Sequence, residues 1–388
     1  MRERCICVMA RMLDQDDGLY VYARNLLENV LALDPVSRYL ILLRTDKCAH
    51  LFDRFPNADV RVLPAKVKIL WDQVVAPRAA ARENADLIFN PKFSLPLFSR
   101  RPATFVLQGS DWYVNPQNYP WWDNLYIRVM LPLYVRKTEH LLAISQTVIE
   151  DLKPHLPLDG VPITVSYAGP GPSFGTRRDE RELERFRAEY RLPRAFILTV
   201  ARGYHTGHGR LPEYPGGNNE RLIRAYRAYR ERGGRLPLVV VGNRIESYLR
   251  QRGFGDDDLR DVVFTGFVPH EKVHLAYQLA EFFVLATLNE SFCFPLVEAM
   301  ACGCPVIAPA TGACPEIGGR AIRRVDPYDV DAICARLLEL DRSPELRDRL
   351  RAAGLERVRR YSWRQTAERT LEVFDALVPP YTRIARAA

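Results

Sequence analysis

Nowhere does this 388-residue chain approach the roughly eighteen unbroken apolar residues of a membrane-spanning helix. The opening run Cys5-Ile-Cys-Val-Met-Ala10 is interrupted by Arg11 and Asp14, too soon for a secretory signal. A cytoplasmic protein is therefore expected. The eight cysteines include no Cys-x-x-Cys pair, and the closest, Cys5/Cys7 and Cys302/Cys304, alternate as small core residues do, so neither disulfides nor zinc are expected. There is no internal repeat, low-complexity tract or basic tail. Residues 1–175 carry 20 basic and 18 acidic side chains within a net charge of +8, and no nucleic-acid-binding motif accompanies that balance. After the first apolar run, Ala10-Arg-Met-Leu-Asp-Gln-Asp-Asp-Gly18 offers one glycine and three acids where a dinucleotide loop needs G-x-G-x-x-G, which argues against a nicotinamide dehydrogenase. Lysine is scarce too: beyond residue 153 there is only Lys272.

What is present is alternation. Short apolar runs at Ile6–Met9, Tyr39–Leu43, Val60–Leu63, Leu87–Phe89, Thr104–Leu107, Leu141–Ile144 and Ile163–Ser166 are separated by helical stretches. Six more follow at Phe196–Val200, Leu238–Val241, Val262–Gly266, Phe282–Ala286, Pro305–Ala308 and Ala321–Val325. Strand–helix alternation implies parallel sheets wrapped by helices, and so many strands divide better into two sheets than one. The Gly/Pro-rich stretch Tyr167–Gly175, followed by a charged helix over Arg177–Tyr190, reads as the link between them.

The most informative segment is Asn289-Glu-Ser-Phe-Cys-Phe-Pro-Leu-Val-Glu-Ala-Met-Ala-Cys-Gly-Cys-Pro-Val-Ile307. It follows a buried-strand pattern, and Pro295 suits the first position of a helix, with Gly303 as its C-terminal cap. Glu290 then lies in the strand-to-helix loop and Glu298 in the first helical turn. Two carboxylates beside a helix N-terminus at the carboxyl end of a parallel sheet suit a sugar nucleotide.

This Glu-x7-Glu motif, with Ala-Met-Ala-Cys-Gly-Cys-Pro-Val-Ile after it, resembles the signature of retaining glycosyltransferases of family 4 (glycosyl transferases group 1), which have the GT-B fold. The resemblance extends through Gly266-Phe-Val-Pro269, Val325-Asp-Pro-Tyr-Asp329 and Arg360-Tyr-Ser-Trp363, and at the other end through Asp17–Leu27 and Leu33-Asp-Pro35. It implies two Rossmann-like parallel-sheet domains facing across a cleft. Residues 1–172 would bind the acceptor and 173–361 the donor, with a C-terminal helix, about 362–388, packing back on the first domain. A GT-B phosphorylase is disfavoured, because it anchors pyridoxal phosphate through a lysine of the second domain.

The resemblance further implies metal-independent, front-face transfer of a hexose from a nucleotide diphosphate to a hydroxyl of a glycan, glycolipid or small molecule, with no cofactor. Glu290 would hold the sugar, and the N–H groups of Phe292, Cys293 and Phe294 would face sugar and phosphate. Glu298 would take the ribose hydroxyls, and Gly266, Phe267 and Val268 the base. Gly18 opens the donor-side loop of the first domain. Family members commonly neutralise the diphosphate with an arginine and a lysine; Arg202 matches the first, the lysine is missing, and Arg210 or Arg221 is the replacement. His205 and His208, spaced i,i+3 in the same long loop, are not expected to hold metal. Gln108 stands where the family usually has a histidine, and Ser291 and Cys293 where glycines are more common.

On the acceptor side stand Asp111, Trp112 and Tyr113. The aromatic region to Tyr134, with Trp121, Trp122 and Tyr126, borders the acceptor or, as favoured by base rates for such spacing, packs in the core. Likeness to bacterial polysaccharide and lipid-linked mannosyltransferases makes GDP-mannose the leading donor and UDP-hexoses the next, with peripheral contact at the inner membrane face. The alternative is a non-catalytic nucleotide-sugar-binding or scaffold protein.

Overall fold

All thirteen apolar runs become strands, and every strand pair is parallel. The computed structural model describes residues 3–15, 18–201 and 217–380. The chain divides into two units, Met1–Ala168 with Ser362–Ala388, and Gly169–Tyr361.

The first unit contains β1 (Cys5–Met9), β2 (Arg38–Leu43), β3 (Ala58–Val62), β4 (Leu87–Asn90), β5 (Ala103–Leu107), β6 (His140–Ala143) and β7 (Ile163–Val165), in the order β3-β2-β1-β4-β5-β6-β7. β1, β4 and β5 are buried along their whole length, as strands covered on both faces must be. The helix Gly18–Leu33 buries Tyr22, Leu26, Leu27, Val30 and Leu31, an apolar stripe at helical spacing.

The terminal helix Trp363–Leu377 packs on it. Trp363 meets Tyr22 edge-on at 5.6 Å between ring centroids, and Phe374 meets Phe89 at 4.9 Å. Arg4, itself buried, pairs with Asp34 at 2.9 Å and with Asp375 of the terminal helix. Ser362 caps this helix by accepting from Gln365 N–H.

The second unit contains β8 (Ile197–Val200), β9 (Leu238–Val241), β10 (Val262–Gly266), β11 (Phe282–Val284), β12 (Val306–Pro309) and β13 (Ile322–Val325), in the order β10-β9-β8-β11-β12-β13. Its core joins Ile197, Leu238, Phe282 and Ile307 from the sheet to Tyr226, Tyr229 and Leu337 from the helices Asn219–Glu231 and Val330–Arg342.

Sequence order reverses at β1/β4 in one sheet and at β8/β11 in the other. In open α/β sheets ligands bind at such points, beyond the carboxyl ends of the strands.

The expected Arg177–Tyr190 helix is shorter, Glu180–Glu189. The Asp179 carboxylate accepts from the N–H groups of Arg181 and Glu182, which sets the start, and the Arg177 carbonyl instead accepts from Gln278. The packing assigned to Trp121 and Trp122 is also corrected. On the helix Trp121–Lys137 they are 71% and 58% exposed, while Ile127, Leu131, Tyr134 and Val135 face inward. All eight cysteines are buried, free thiols. Among the described residues no helix is long and apolar enough to cross a membrane.

Candidate functional site

β11 pairs with β8 through Phe282 to Ile197 and Phe283 to Leu198, so the chain leaves both strands side by side at the switch point of the second sheet. The exit from β11 holds Glu290 and leads into the helix Phe294–Ala301. That helix starts from Cys293 at φ 70° and ψ 69°, a left-handed conformation that favours glycine. The family's preference for glycine here thus has a local cause. Burial and a hydrogen bond with Cys314 hold the Cys293 thiol well above its usual pKa. Because the left-handed residue starts the helix at Phe294, Pro295 is its second residue rather than its first. Glu298 is its fifth, just past the first turn in which it was expected. Gly303, at φ 69°, follows the helix end as anticipated.

The loop after β12 braces the Glu290 segment. Thr311 Oγ1 donates to the Leu288 carbonyl at 2.8 Å, and the Ala313 N–H donates to the Glu290 carbonyl at 2.7 Å. Between them Gly312, at φ 58°, lies so close that a Cβ there would sit 2.7 Å from Asn289 Oδ1 and from both N and O of Glu290.

Glu298 is nearly buried, its side chain 5% exposed, and its Oε1 lies 2.8 Å from His270 Nε2. His270 was not among the residues expected from sequence. It follows β10, which ends at Gly266 with φ 71° and a register shift against β9. The His270 ring packs on Phe174 at 5.1 Å. Its contact with Glu298 therefore ties the Gly266-Phe267-Val268 segment to the helix that follows β11. Phe267 is 67% exposed, whereas Val268 is buried.

Arg221 lies in the first turn of the helix Asn219–Glu231, donating to Asn218 Oδ1 at 2.9 Å and lying over the Tyr328 ring at 5.3 Å. Asn218 is buried, and its amide donates to the carbonyls of Ala286 and Pro327, both at 2.7 Å. Arg221 is thereby anchored, through Asn218, beside the exit of β11. Arg202, Arg210, His205 and His208 lie outside the described residues. Lys272 forms an ion pair with Glu189 at 3.5 Å.

In the first unit, Gly18 is the exposed first residue of its helix. The Gln108 amide donates to the Pro91 carbonyl, joining the exits of β5 and β4. Both Asp111 oxygens accept hydrogen bonds, from Asn115 at 2.7 Å and Tyr119 at 2.9 Å. Trp112 packs between Phe93 and Tyr119, and Tyr113 stacks on His155 at 4.9 Å. Burial pushes the Tyr113 phenol up. Among the described residues no group of three or more His, Cys, Asp or Glu is placed to hold a metal ion.

Residues 209–357 match the family model described as glycosyl transferases group 1. The O-antigen chain mannosyltransferase B of Escherichia coli is 32% identical over 174 residues, covering 42% of this chain and 44% of that protein. The serotype-specific mannosyltransferase WbdA of Escherichia coli is 27% identical over 249 residues, covering 62% of this chain and 29% of that protein. The matches thus span less than half the length of these relatives. A glycosyltransferase from Rickettsia africae superposes with a TM-score of 0.74 at 14% identity, covering 97% of this chain and 99% of that one, a likeness of fold. With two parallel-sheet units, each with a switch point in its strand order, this chain has the GT-B fold, and its residues 209–357 resemble the glycosyl transferases group 1 family.

Proposed function

We propose that this protein transfers a hexose, with mannose from GDP-mannose as the leading donor, to a hydroxyl of a glycan, glycolipid or small-molecule acceptor, with retention and without metal. The observation that carries the reading is the pair Glu290 and Glu298 on one loop and helix at the β8/β11 switch point, with Glu298 held by His270. The mannosyl assignment draws on the names of the two relatives.

In front-face substitution the bond from the anomeric carbon to the diphosphate breaks as the acceptor oxygen bonds on the same face. The acceptor's proton passes to the departing phosphate oxygen. Glu290 would hold sugar hydroxyls and steady the developing positive charge, and the N–H groups of Phe292, Cys293 and Phe294 would face the diphosphate. Glu298 is assigned the ribose hydroxyls. The segment Gly266–Val268, with Phe267 free to lie against a flat ring, is assigned the base. Arg202, with Arg210 or Arg221, neutralises the leaving group. Gln108, Asp111, Trp112 and Tyr113 are assigned to the acceptor side.

Incubation with GDP-mannose and with UDP-hexoses in the absence of acceptor tests this directly, because a competent site slowly releases free nucleotide diphosphate. A thermal shift with a donor but no release would leave the non-catalytic nucleotide-sugar-binding reading, and neither shift nor release with any donor would leave a scaffold.

Glu298→Ala is expected to weaken GDP binding by about 10–100-fold, since each hydrogen bond to a charged group contributes roughly 1.5–3 kcal/mol. His270→Ala should weaken it less and His270→Gln less still, because the half-exposed imidazole orients the carboxylate without taking its place. Titration calorimetry decides; unchanged affinity in Glu298→Ala would rule out the ribose assignment.

For the diphosphate, Arg202→Ala is expected to nearly abolish transfer, and Arg221→Ala to do the same if it is the second cation. Lysine at either position should restore activity only in part, because an ammonium cannot reproduce the guanidinium fork. Chelation should change little. Transfer that survives both alanine substitutions and collapses with chelator would move the chemistry to a metal.

A further inference from the structure

The helix Trp121–Lys137 has a second apolar stripe that nothing among the described residues of the first unit covers. Its inner residues Ile127, Leu131, Tyr134 and Val135 are buried, yet Trp121, Trp122, Leu125, Val129 and Leu133 are exposed on the opposite side, between 38% and 71%. Their spacing, 121/125/129/133 with 122 alongside, keeps them on one face for the whole helix. Seventeen residues at a rise of 1.5 Å make that face about 25 Å long.

The neighbourhood extends the patch. Lys68 Nζ lies 4.7 Å over the Tyr126 ring, bringing the segment with exposed Val67, Ile69 and Leu70 against the helix. Soluble proteins rarely leave so many large apolar side chains together in water.

The charge of this surface selects its occupant. Across residues 66–70 and 121–137 the basic residues are Lys66, Lys68, Arg128, Arg136 and Lys137, against the single acid Asp123. A second copy docked through the same face by a two-fold axis would oppose these cations to themselves. Tryptophans and aliphatics along one helix face, flanked by arginine and lysine, are what the boundary between an anionic headgroup layer and acyl chains takes up.

We propose that the exposed face of the Trp121–Lys137 helix, with the Val67–Leu70 projections, seats the protein on an anionic lipid bilayer. The face belongs to the first unit, whereas Glu290 and Glu298 belong to the second, and it does not rest on the transferase reading.

The test is flotation of the full chain with vesicles of phosphatidylcholine alone and of phosphatidylcholine mixed with phosphatidylglycerol, with tryptophan emission read in parallel. Wild type should float with the anionic vesicles, shift its emission to shorter wavelength and release at high salt. The variant Trp121→Ser/Trp122→Ser/Leu125→Ser changes only exposed side chains, and should lose partitioning by about tenfold or more while its Tm stays within a few degrees. Arg128→Glu/Arg136→Glu should lose binding to anionic vesicles while keeping the fold. Absence of flotation, or flotation undiminished in the triple variant, overturns the proposal. A wild type that is dimeric by light scattering, with a monomeric triple variant, overturns it in favour of a self-interface.

Discussion

Glu290→Gln is expected to lower kcat by on the order of 10²–10³ while changing donor affinity by less than about tenfold, the signature of an interaction that strengthens as the reaction proceeds. The substitution keeps shape and hydrogen-bonding capacity and removes only the charge. The ground-state sugar is neutral, so its binding loses little; the sugar at the barrier is cationic, so its stabilisation loses much. The loop itself should survive, because its bracing runs through the Glu290 carbonyl, which accepts from Ala313 and is untouched by the change. Donor affinity from calorimetry and kcat from product formation separate the two effects. A variant that turns over like wild type would leave Glu290 with a structural role alone, and one that fails to bind donor would make it a ground-state contact.

Gly312→Ala is expected to be among the damaging single methyls in the second unit, and one that acts on the candidate site itself. The position sits at φ 58°, where a side chain costs about 1–3 kcal/mol. The added Cβ would also lie 2.7 Å from three atoms of the Asn289–Glu290 peptide segment, and relieving such overlap costs about 1–3 kcal/mol more. Together these should lower Tm by roughly 5–20 °C for a unit of this size. Because the displaced atoms belong to Glu290's own backbone, turnover should fall even at temperatures where the variant is folded. Gly255→Ala is the control: its nearest neighbour would be Asp258 Oδ2 at 3.8 Å, and no positive φ is involved. Equal melting of wild type and Gly312→Ala, with equal activity, would show that the loop after β12 yields freely and does not hold the Glu290 segment in place.

The strands were legible in sequence because their signal is local. A run such as Leu238–Val241, Leu-Val-Val-Val, is apolar on both faces, and only a strand covered by helices on both sides removes all of it from water. Glu290, Glu298 and the capping Gly303 were legible for a related reason: strand, loop, helix and C-terminal cap are contiguous, so spacing alone orders them. Where a start signal depended on one residue, the reading slipped. Pro295 suits the first helical position, but the left-handed turn at Cys293 starts the helix one residue earlier, at Phe294. Asp179 likewise starts its helix at Glu180, although charge patterning points to Arg177.

Contacts across long stretches of chain were decided by tertiary structure alone. His270 reaches Glu298 over 28 residues, Asn218 reaches Pro327 over 109, and Gly312 presses on Glu290 from a different strand's loop. No periodicity encodes these meetings, because the sheet's strand order, set by which edges pair, determines which loops become neighbours. The same holds for Trp121 and Trp122. Sequence shows an aromatic helix, but which stripe turns inward depends on the shape of the surface beneath it, and Ile127, Leu131, Tyr134 and Val135 took the core face, leaving both tryptophans outside.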